Sequence, residues 1–182
     1  TDNIFNINRI GISDSLEAGN SLTLGIDYKN QDINNNDEFF ELKLATVFRD
    51  EEENNIPSQT TLNNKNSNIF GSIKYNANEY INVDYNFAID NKIDNFKYNS
   101  IGLGLSVNNF ITKFNFIEED SDLGNTNVFE NNTEYNFNKN NSILFKTRRN
   151  RELNLTEYYD LVYEYKNDCL TAGIKFNKTY YE

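Results

Sequence analysis

The sequence predicts an all-β chain that folds as an antiparallel, up-and-down meander of about ten strands. Apolar and polar side chains alternate with a period of two, and the alternating segments are long. Short Asn-rich connections also take turns with longer, charged ones. The hydrophobic fraction is only 37%, yet 12 Tyr and 14 Phe side chains need burial. So little apolar material suits one face of a sheet.

Three segments show the alternation most clearly. In LEAGNSLTLGIDY, which begins at Leu16, the apolar residues fall mainly on one side of an extended chain. FELKLATVFR, from Phe40, repeats the pattern, and YINVDYNFAID, from Tyr80, shows it with the fewest exceptions. The pattern excludes helices for these segments. The strands are predicted at 15–29, 38–50, 68–76, 80–90, 95–107, 110–117, 127–137, 142–150, 157–165 and 168–181.

The connections predict a sheet whose two ends differ. Short turns are expected at 76–79, 108–109, 138–141 and 166–167, and longer or charged connections at 51–67, 91–94, 118–126 and 151–156. The connection at 30–37 falls with the short turns by strand parity but is longer than they are. Many strands reach the ~9–11 residues that a tilted strand needs to cross a bilayer. Such strands with unequal ends are typical of outer-membrane barrels.

Two other architectures fit the same alternation. A soluble β-sandwich, such as a carbohydrate-binding module with Tyr and Asn on an exposed face, would also bury one face of each strand. A closed porin-like barrel is the third possibility. Strand length, unequal ends and the many charges on the polar face favour a barrel. Because the sequence contains no Met, we expect a processed form or a piece of a longer protein.

The composition excludes several kinds of chemistry. The absence of His removes His-based acid/base catalysis and the common imidazole metal sites, so neither an enzyme nor a cofactor is expected. A net charge of −11 argues against nucleic acid as a partner. The acidic run from Asp50 to Glu53 is interpreted as a solvated loop. Arg148, Arg149 and Arg151 are candidates for an anion contact, although neutralising the acidic chain is the simpler role.

Three stretches resemble a known family. They are NIFNINRIGISDSLEAGNSLTLGIDY, with Asn8, Arg9, Asp14, Glu17 and Gly19, then FRDEEENNIPSQTTLNNKNSNIFGSIKY, and EYYDLVYEYKNDCLTAGIKF near the C-terminus. Together they are similar to the LptD (OstA) family of lipopolysaccharide-assembly proteins of the Gram-negative outer membrane. The likeness runs over nearly all of the chain.

The resemblance implies a transport function without covalent chemistry. Members of the family form a large transmembrane barrel that is preceded in the chain by a periplasmic jellyroll domain. They receive lipopolysaccharide from an LptA-like periplasmic bridge and insert it into the outer leaflet through a lateral opening, while an LptE-like lipoprotein plugs the lumen. Residues 1–182 would then be one domain, the C-terminal barrel segment, without the periplasmic domain and early strands. The short turns would face the periplasm, and the apolar face would meet outer-membrane lipids.

The resemblance also suggests roles for individual residues. Asn82, Asp84, Lys97 and Lys175 are expected to face the polar lumen. Cys169 follows the short turn at 166–167, and in the family a cysteine there pairs with one in the N-terminal periplasmic part. The family commonly has tandem cysteines at this turn, whereas this chain has a single one. At most one such disulfide is therefore expected.

Overall fold

The structure is a computed structural model that describes residues 17–33, 39–56, 61–121 and 124–180. Ten strands form one sheet, and each pairs antiparallel with its neighbours in sequence. They are β1 (Ser21–Gln31), β2 (Phe39–Arg49), β3 (Ile69–Asn78), β4 (Ile81–Ile89), β5 (Phe96–Val107), β6 (Phe110–Ser121), β7 (Gly124–Asn138), β8 (Asn141–Asn150), β9 (Leu155–Lys166) and β10 (Thr171–Thr179). The predicted all-β meander of about ten strands is confirmed.

One predicted loop is largely strand. The connection expected at 118–126 is instead the end of a hairpin, because β6 runs to residue 121 and β7 begins at residue 124. The charged residues suggested a loop, but they pair across the strands. Glu118 lies opposite Asn127, whose Nδ2 donates to Glu118 Oε1 at 3.3 Å. Asp120 forms an ion pair with Lys97, whose Nζ donates a hydrogen bond to Asp120 Oδ2 at 2.7 Å.

Asn side chains close most of the short turns. The Oδ1 atoms of Asn78, Asn138 and Asn167 each accept hydrogen bonds from backbone N–H groups two or three residues ahead, at 2.8–3.0 Å. Asn108, in the two-residue turn between β5 and β6, has a φ of 51°. Asn is therefore favoured here chiefly as a side-chain acceptor, and at Asn108 for its tolerance of positive φ.

The register gives the sheet two chemically different faces, because directly paired residues project to the same side. We call one the apolar face; it carries Leu22, Leu24, Ile26, Leu42, Leu44, Ile73, Val83, Ile101, Leu103, Phe114, Ile143, Leu161, Ile174 and Phe176. The opposite side, the polar face, carries Asp27, Glu41, Lys74, Asn82, Asp84, Lys113, Glu130, Lys146, Arg148, Asp160 and Lys175.

Among the residues that the structure describes, no second layer covers the apolar face. Leu22 and Ile26 are each 58% exposed, and Ile174 is 75% exposed. In the described part of the chain all the strands belong to one sheet, so a second sheet does not pack on this face as it would in a sandwich. None of the described residues forms a helix long and apolar enough to cross a membrane.

The small buried core lies on the polar side of the sheet. Ala45 and Val47 of β2 pack with Ile56 and Leu62 from the following connection, and Phe70 of β3 packs against them. The connection between β2 and β3 therefore folds back over the polar face, and Val47 is completely buried beneath it.

Candidate functional site

Aromatic side chains border the apolar face at both ends. Near the short turns these are Phe40, Tyr75, Phe110, Tyr135 and Tyr163, and near the long connections they are Phe48, Phe96, Phe116, Phe129 and Tyr159. Along β2 the two belts are eight residues apart, about 26 Å at ~3.3 Å per residue. A strand tilt of about 40° reduces this to roughly 20 Å, close to the ~25 Å apolar band of outer-membrane barrels.

The strands are staggered as in a tilted sheet. One row of paired residues begins at Tyr28, close to the short-turn end of β1, and reaches Arg149 and Thr156 at the long-connection end of β8 and β9. Across nine strands, the position of the paired residue along its strand therefore shifts by most of a strand length. Such progressive stagger accompanies the strand tilt that a barrel requires.

Three polar residues that interrupt the apolar face, Asn131, Thr112 and Thr133, bind one another. Asn131 Nδ2 donates to Thr112 Oγ1 at 3.0 Å, and Thr133 Oγ1 donates to Asn131 Oδ1 at 3.0 Å. The hydroxyls of Thr112 and Thr133 lie 2.7 Å apart. Phe114 and Phe129 stack beside this cluster, with ring centroids 6.0 Å apart. A polar group without access to water needs such internal partners.

The polar face is lined by paired charges. The register places Lys29, Glu41, Lys74 and Asp84 in one row of alternating sign. On β7 to β10, Arg148 contacts two carboxylates, and Lys175 Nζ lies 3.2 Å from Asp160 Oδ2. Because opposite charges neighbour one another, the face can be polar without concentrating a single sign.

Of the four residues expected in the lumen, three lie on the polar face: Asn82, Asp84 and Lys175. Asn82 and Asp84 lean over glycines of β5, so that a Cβ on Gly102 would lie 2.3 Å from Asp84 Oδ1. Lys97 does not lie on the polar face. It is the extra residue of the bulge between β4 and β5, and it binds Asp120, which lies on the same side of β6 as Phe114 and Phe116. Strand parity does not hold across a bulge.

The three arginines at the end of β8 separate onto different sides. Arg148 lies on the polar face, with Nη1 3.2 Å from Glu130 and Nε 2.7 Å from Glu157. Arg149 pairs with Phe129 on the apolar face, and its Nη2 donates to Asn154 Oδ1 at 2.5 Å. The guanidinium of Arg151 lies over the Phe116 ring, 5.4 Å from the centroid. The structure therefore separates Arg148 from Arg149 and Arg151, which both lie beside aromatic rings of the apolar face.

Cys169 lies in the exposed turn before β10. Because β10 begins at Thr171, Cys169 lies before the strand and outside its alternation of faces. Its N–H donates to Asn167 Oδ1 at 3.0 Å. The chain has no second cysteine with which it could pair.

A buried arginine, which the sequence did not single out, fastens the connection between β2 and β3. Arg49 Nε donates to the Leu62 carbonyl at 2.7 Å, Nη1 to the Ala18 carbonyl at 3.3 Å, and Nη2 to Glu17 Oε2 at 2.5 Å. We call these contacts the Arg49 latch. They join the end of β2, the inward-folded connection and the segment before β1.

Two further contacts complete the attachment. Glu53 Oε2 accepts a hydrogen bond from the Ala18 N–H at 3.1 Å, and Val47 N–H donates to Ser67 Oγ at 2.9 Å. Gly19 has a φ of +76°, a conformation that favours glycine, and it turns the chain from Ala18 into β1. Glu17 and Gly19 of the family-like stretch are thus structural, whereas Asn8, Arg9 and Asp14 lie outside the described residues.

The connection between β4 and β5 is organised by two carboxyls. The hydrogen bond shared with Asp94, helped by the backbone N–H groups of Asp94 and Asn95, lowers the pKa of Asp90 to about 2. The same shared bond raises the pKa of Asp94. Over the described ranges, no group of three or more His, Cys, Asp or Glu side chains is placed to hold a metal ion.

Comparison with known proteins identifies one family. The family model described as LptD, LPS transport system D, matches residues 1–167. The matched region contains β1 to β9, whereas Cys169 and β10 lie beyond it. No curated protein matches the chain.

Proposed function

Because this chain belongs to the LptD family of lipopolysaccharide transport proteins, we propose that its sheet is part of the outer-membrane translocon that inserts lipopolysaccharide into the outer leaflet. The family places the chain in lipopolysaccharide transport and in the outer membrane. The proposal adds that the sheet is an integral segment of the barrel wall.

The exposed apolar face between two aromatic belts carries this proposal. In water, such a face would cost about 25 cal/mol for each Å² of apolar surface left uncovered. Contact of the same apolar surface with acyl chains avoids this free-energy cost, and aromatic rings suit the two membrane–water interfaces. The internally bonded cluster of Asn131, Thr112 and Thr133 is compatible with lipid for the same reason.

The edges of the sheet support a larger barrel. β1 and β10 each have one strand neighbour among the described residues, so each is an edge of the described sheet. In a bilayer the backbone groups along such an edge need partners, which is why membrane sheets close. We propose that further strands of the protein supply these partners, and that this chain is the C-terminal barrel segment with its short turns toward the periplasm.

The polar face is the proposed lumen wall. Its alternating charges suit the sugars and phosphates of lipopolysaccharide, with Asn82, Asp84 and Lys175 as candidate contacts. An LptE-like plug inside the barrel and an LptA-like bridge on the periplasmic side are the partners that family membership suggests. A disulfide from Cys169 to a cysteine outside this sequence stays a proposal; the thiol is exposed, so such a partner could reach it.

Refolding in two solvents tests the membrane assignment. The protein is diluted from denaturant into plain buffer or into detergent micelles, and trypsin resistance and heat-dependent gel mobility are compared. We expect protection and a heat-sensitive mobility shift only in micelles. A trypsin-resistant monomer in plain buffer would exclude the membrane role and favour a soluble β-protein.

A further inference from the structure

Three cations lie at the long-connection end of the apolar face, on or next to β8 and β10. Arg149 shares the row of Phe129, and Arg151 lies over Phe116. Lys178 of β10 pairs with Tyr159 and places its Nζ 4.7 Å from the Tyr180 ring centroid. We call Arg149, Arg151 and Lys178 the rim cations. All three are exposed, and each is next to the aromatic belt near the long connections.

The two rim arginines have no carboxylate partner, which is unexpected in a chain with net charge −11. Within the described ranges, neither guanidinium forms an ion pair; Arg149 binds only the amide oxygen of Asn154, and Arg151 only an aromatic ring. Arg148 and Arg49 of the same chain are each ion-paired. Neutralising the chain's own acids therefore explains the paired arginines but not Arg149 and Arg151.

We propose that the rim cations bind phosphate groups of phosphorylated lipids in the leaflet that the long connections face. The proposal rests on the membrane placement of the sheet proposed above. A guanidinium offers parallel N–H donors that match phosphate oxygens. The aromatic belt marks the depth at which lipid headgroups begin, so a phosphate of a lipid lying on the apolar face reaches the arginines directly.

The surroundings favour a lipid over a free anion. Glu118 and Glu152 line a cavity of about 310 Å³ beside Arg151. These carboxylates make the loop side of the site negative, so the field does not concentrate dissolved anions there. A phosphate whose acyl chains already lie against the apolar face needs no such attraction, because burial of its chains brings it to the rim.

Titration of the detergent-purified protein with lipid A that carries both phosphates tests the site, with native mass spectrometry as the readout. We expect R149Q/R151Q to bind this lipid about tenfold more weakly than the unsubstituted protein, equivalent to ~1.4 kcal/mol. K65Q/K92Q is the matched control, because it removes two exposed positive charges at the same end of the sheet. Its affinity should stay within about twofold. R149K/R151K keeps the charge and should lose less than about threefold.

Each remaining outcome has a defined meaning. Lipid A without phosphates should bind all variants equally; the same tenfold loss with this lipid would refute a phosphate contact. Competition by millimolar inorganic phosphate would assign the site to a free anion and overturn the lipid proposal. If R149Q/R151Q shows the normal heat-dependent mobility and unchanged lipid affinity, only the rim site fails. Failure of the unsubstituted protein to fold in micelles would instead refute the proposed function.

Discussion

The Arg49 latch should control whether the connection between β2 and β3 stays folded over the polar face. The Arg49 side chain is 1% exposed and that of Glu17 is 12% exposed, so the ion pair is largely removed from water. Replacing Arg49 by Met removes the hydrogen bonds that its guanidinium donates to the Glu17 carboxylate and to the carbonyls of Leu62 and Ala18.

The size of the effect follows from this burial. Removing one partner of a buried ion pair typically costs about 3–5 kcal/mol. Water can reach Glu17 more easily than Arg49, so we expect the lower end, ~3 kcal/mol, for R49M. Glu17→Gln keeps an oxygen that can accept from Arg49, and it should cost only about 1–2 kcal/mol.

Tryptic cleavage after Lys65 measures the opening directly, because this exposed lysine lies in the connection and its carbonyl accepts the Arg49 N–H at 2.8 Å. Where cleavage follows the population of the open form, a loss of ~3 kcal/mol raises the rate about a hundredfold. Arg148→Met removes another paired arginine far along the sheet and should leave this rate unchanged. A rate for R49M within threefold of the original, or a larger effect for Glu17→Gln than for R49M, would refute the latch.

Two other substitutions test the account elsewhere in the sheet. Gly102→Ala should destabilise the protein by about 1 kcal/mol, read from the urea midpoint in micelles, because the new Cβ would lie 2.3 Å from Asp84 Oδ1 and the Asp84 side chain must turn away; adding Asp84→Ala should restore most of the loss, and an unchanged midpoint for the single substitution would contradict the close approach. In the connection between β4 and β5, the pKa of Asp90 is lowered to about 2 from the ordinary 3.8. The turn therefore has its full contribution above about pH 4 and loses it as the pH falls toward 2. The carboxyl carbon resonance of Asp90 in the folded protein should titrate with a midpoint near pH 2 and should be missing in Asp90→Asn; a midpoint near pH 4 would contradict this pKa.

The alternation of side chains was enough to predict the strands, because a period of two is local and survives errors in the loop boundaries. The same reasoning failed where pairing overrides composition. Glu118 and Asp120 look like loop residues, but they are paired across the β6–β7 hairpin. Lys97 does not lie on the polar face, where it was expected, because a single extra residue in a bulge breaks the alternation on which the prediction relied.

The Arg49 latch was beyond sequence reasoning for a different reason. Its acceptors lie at residues 17, 18 and 62, and only the return of a long connection brings them to one guanidinium. One signal was present, since Arg49 ends an alternating strand immediately before an acidic run. Alternation along β8 accounts for the separation of Arg148 from Arg149, whereas the ring contact of Arg151 requires the fold.

Which face of the sheet meets lipid is the central claim, and a cysteine scan along β4 tests it most directly. In a Cys169→Ser background, single cysteines at residues 81–89 are labelled with an environment-sensitive fluorophore in the membrane-reconstituted protein. We predict that lipid-attached quenchers act at Ile81, Val83, Tyr85 and Phe87, and that water-soluble quenchers act at Asn82, Asp84 and Asn86. Equal quenching by water at both sets, or the reverse assignment, would contradict a barrel wall with its apolar face in the membrane.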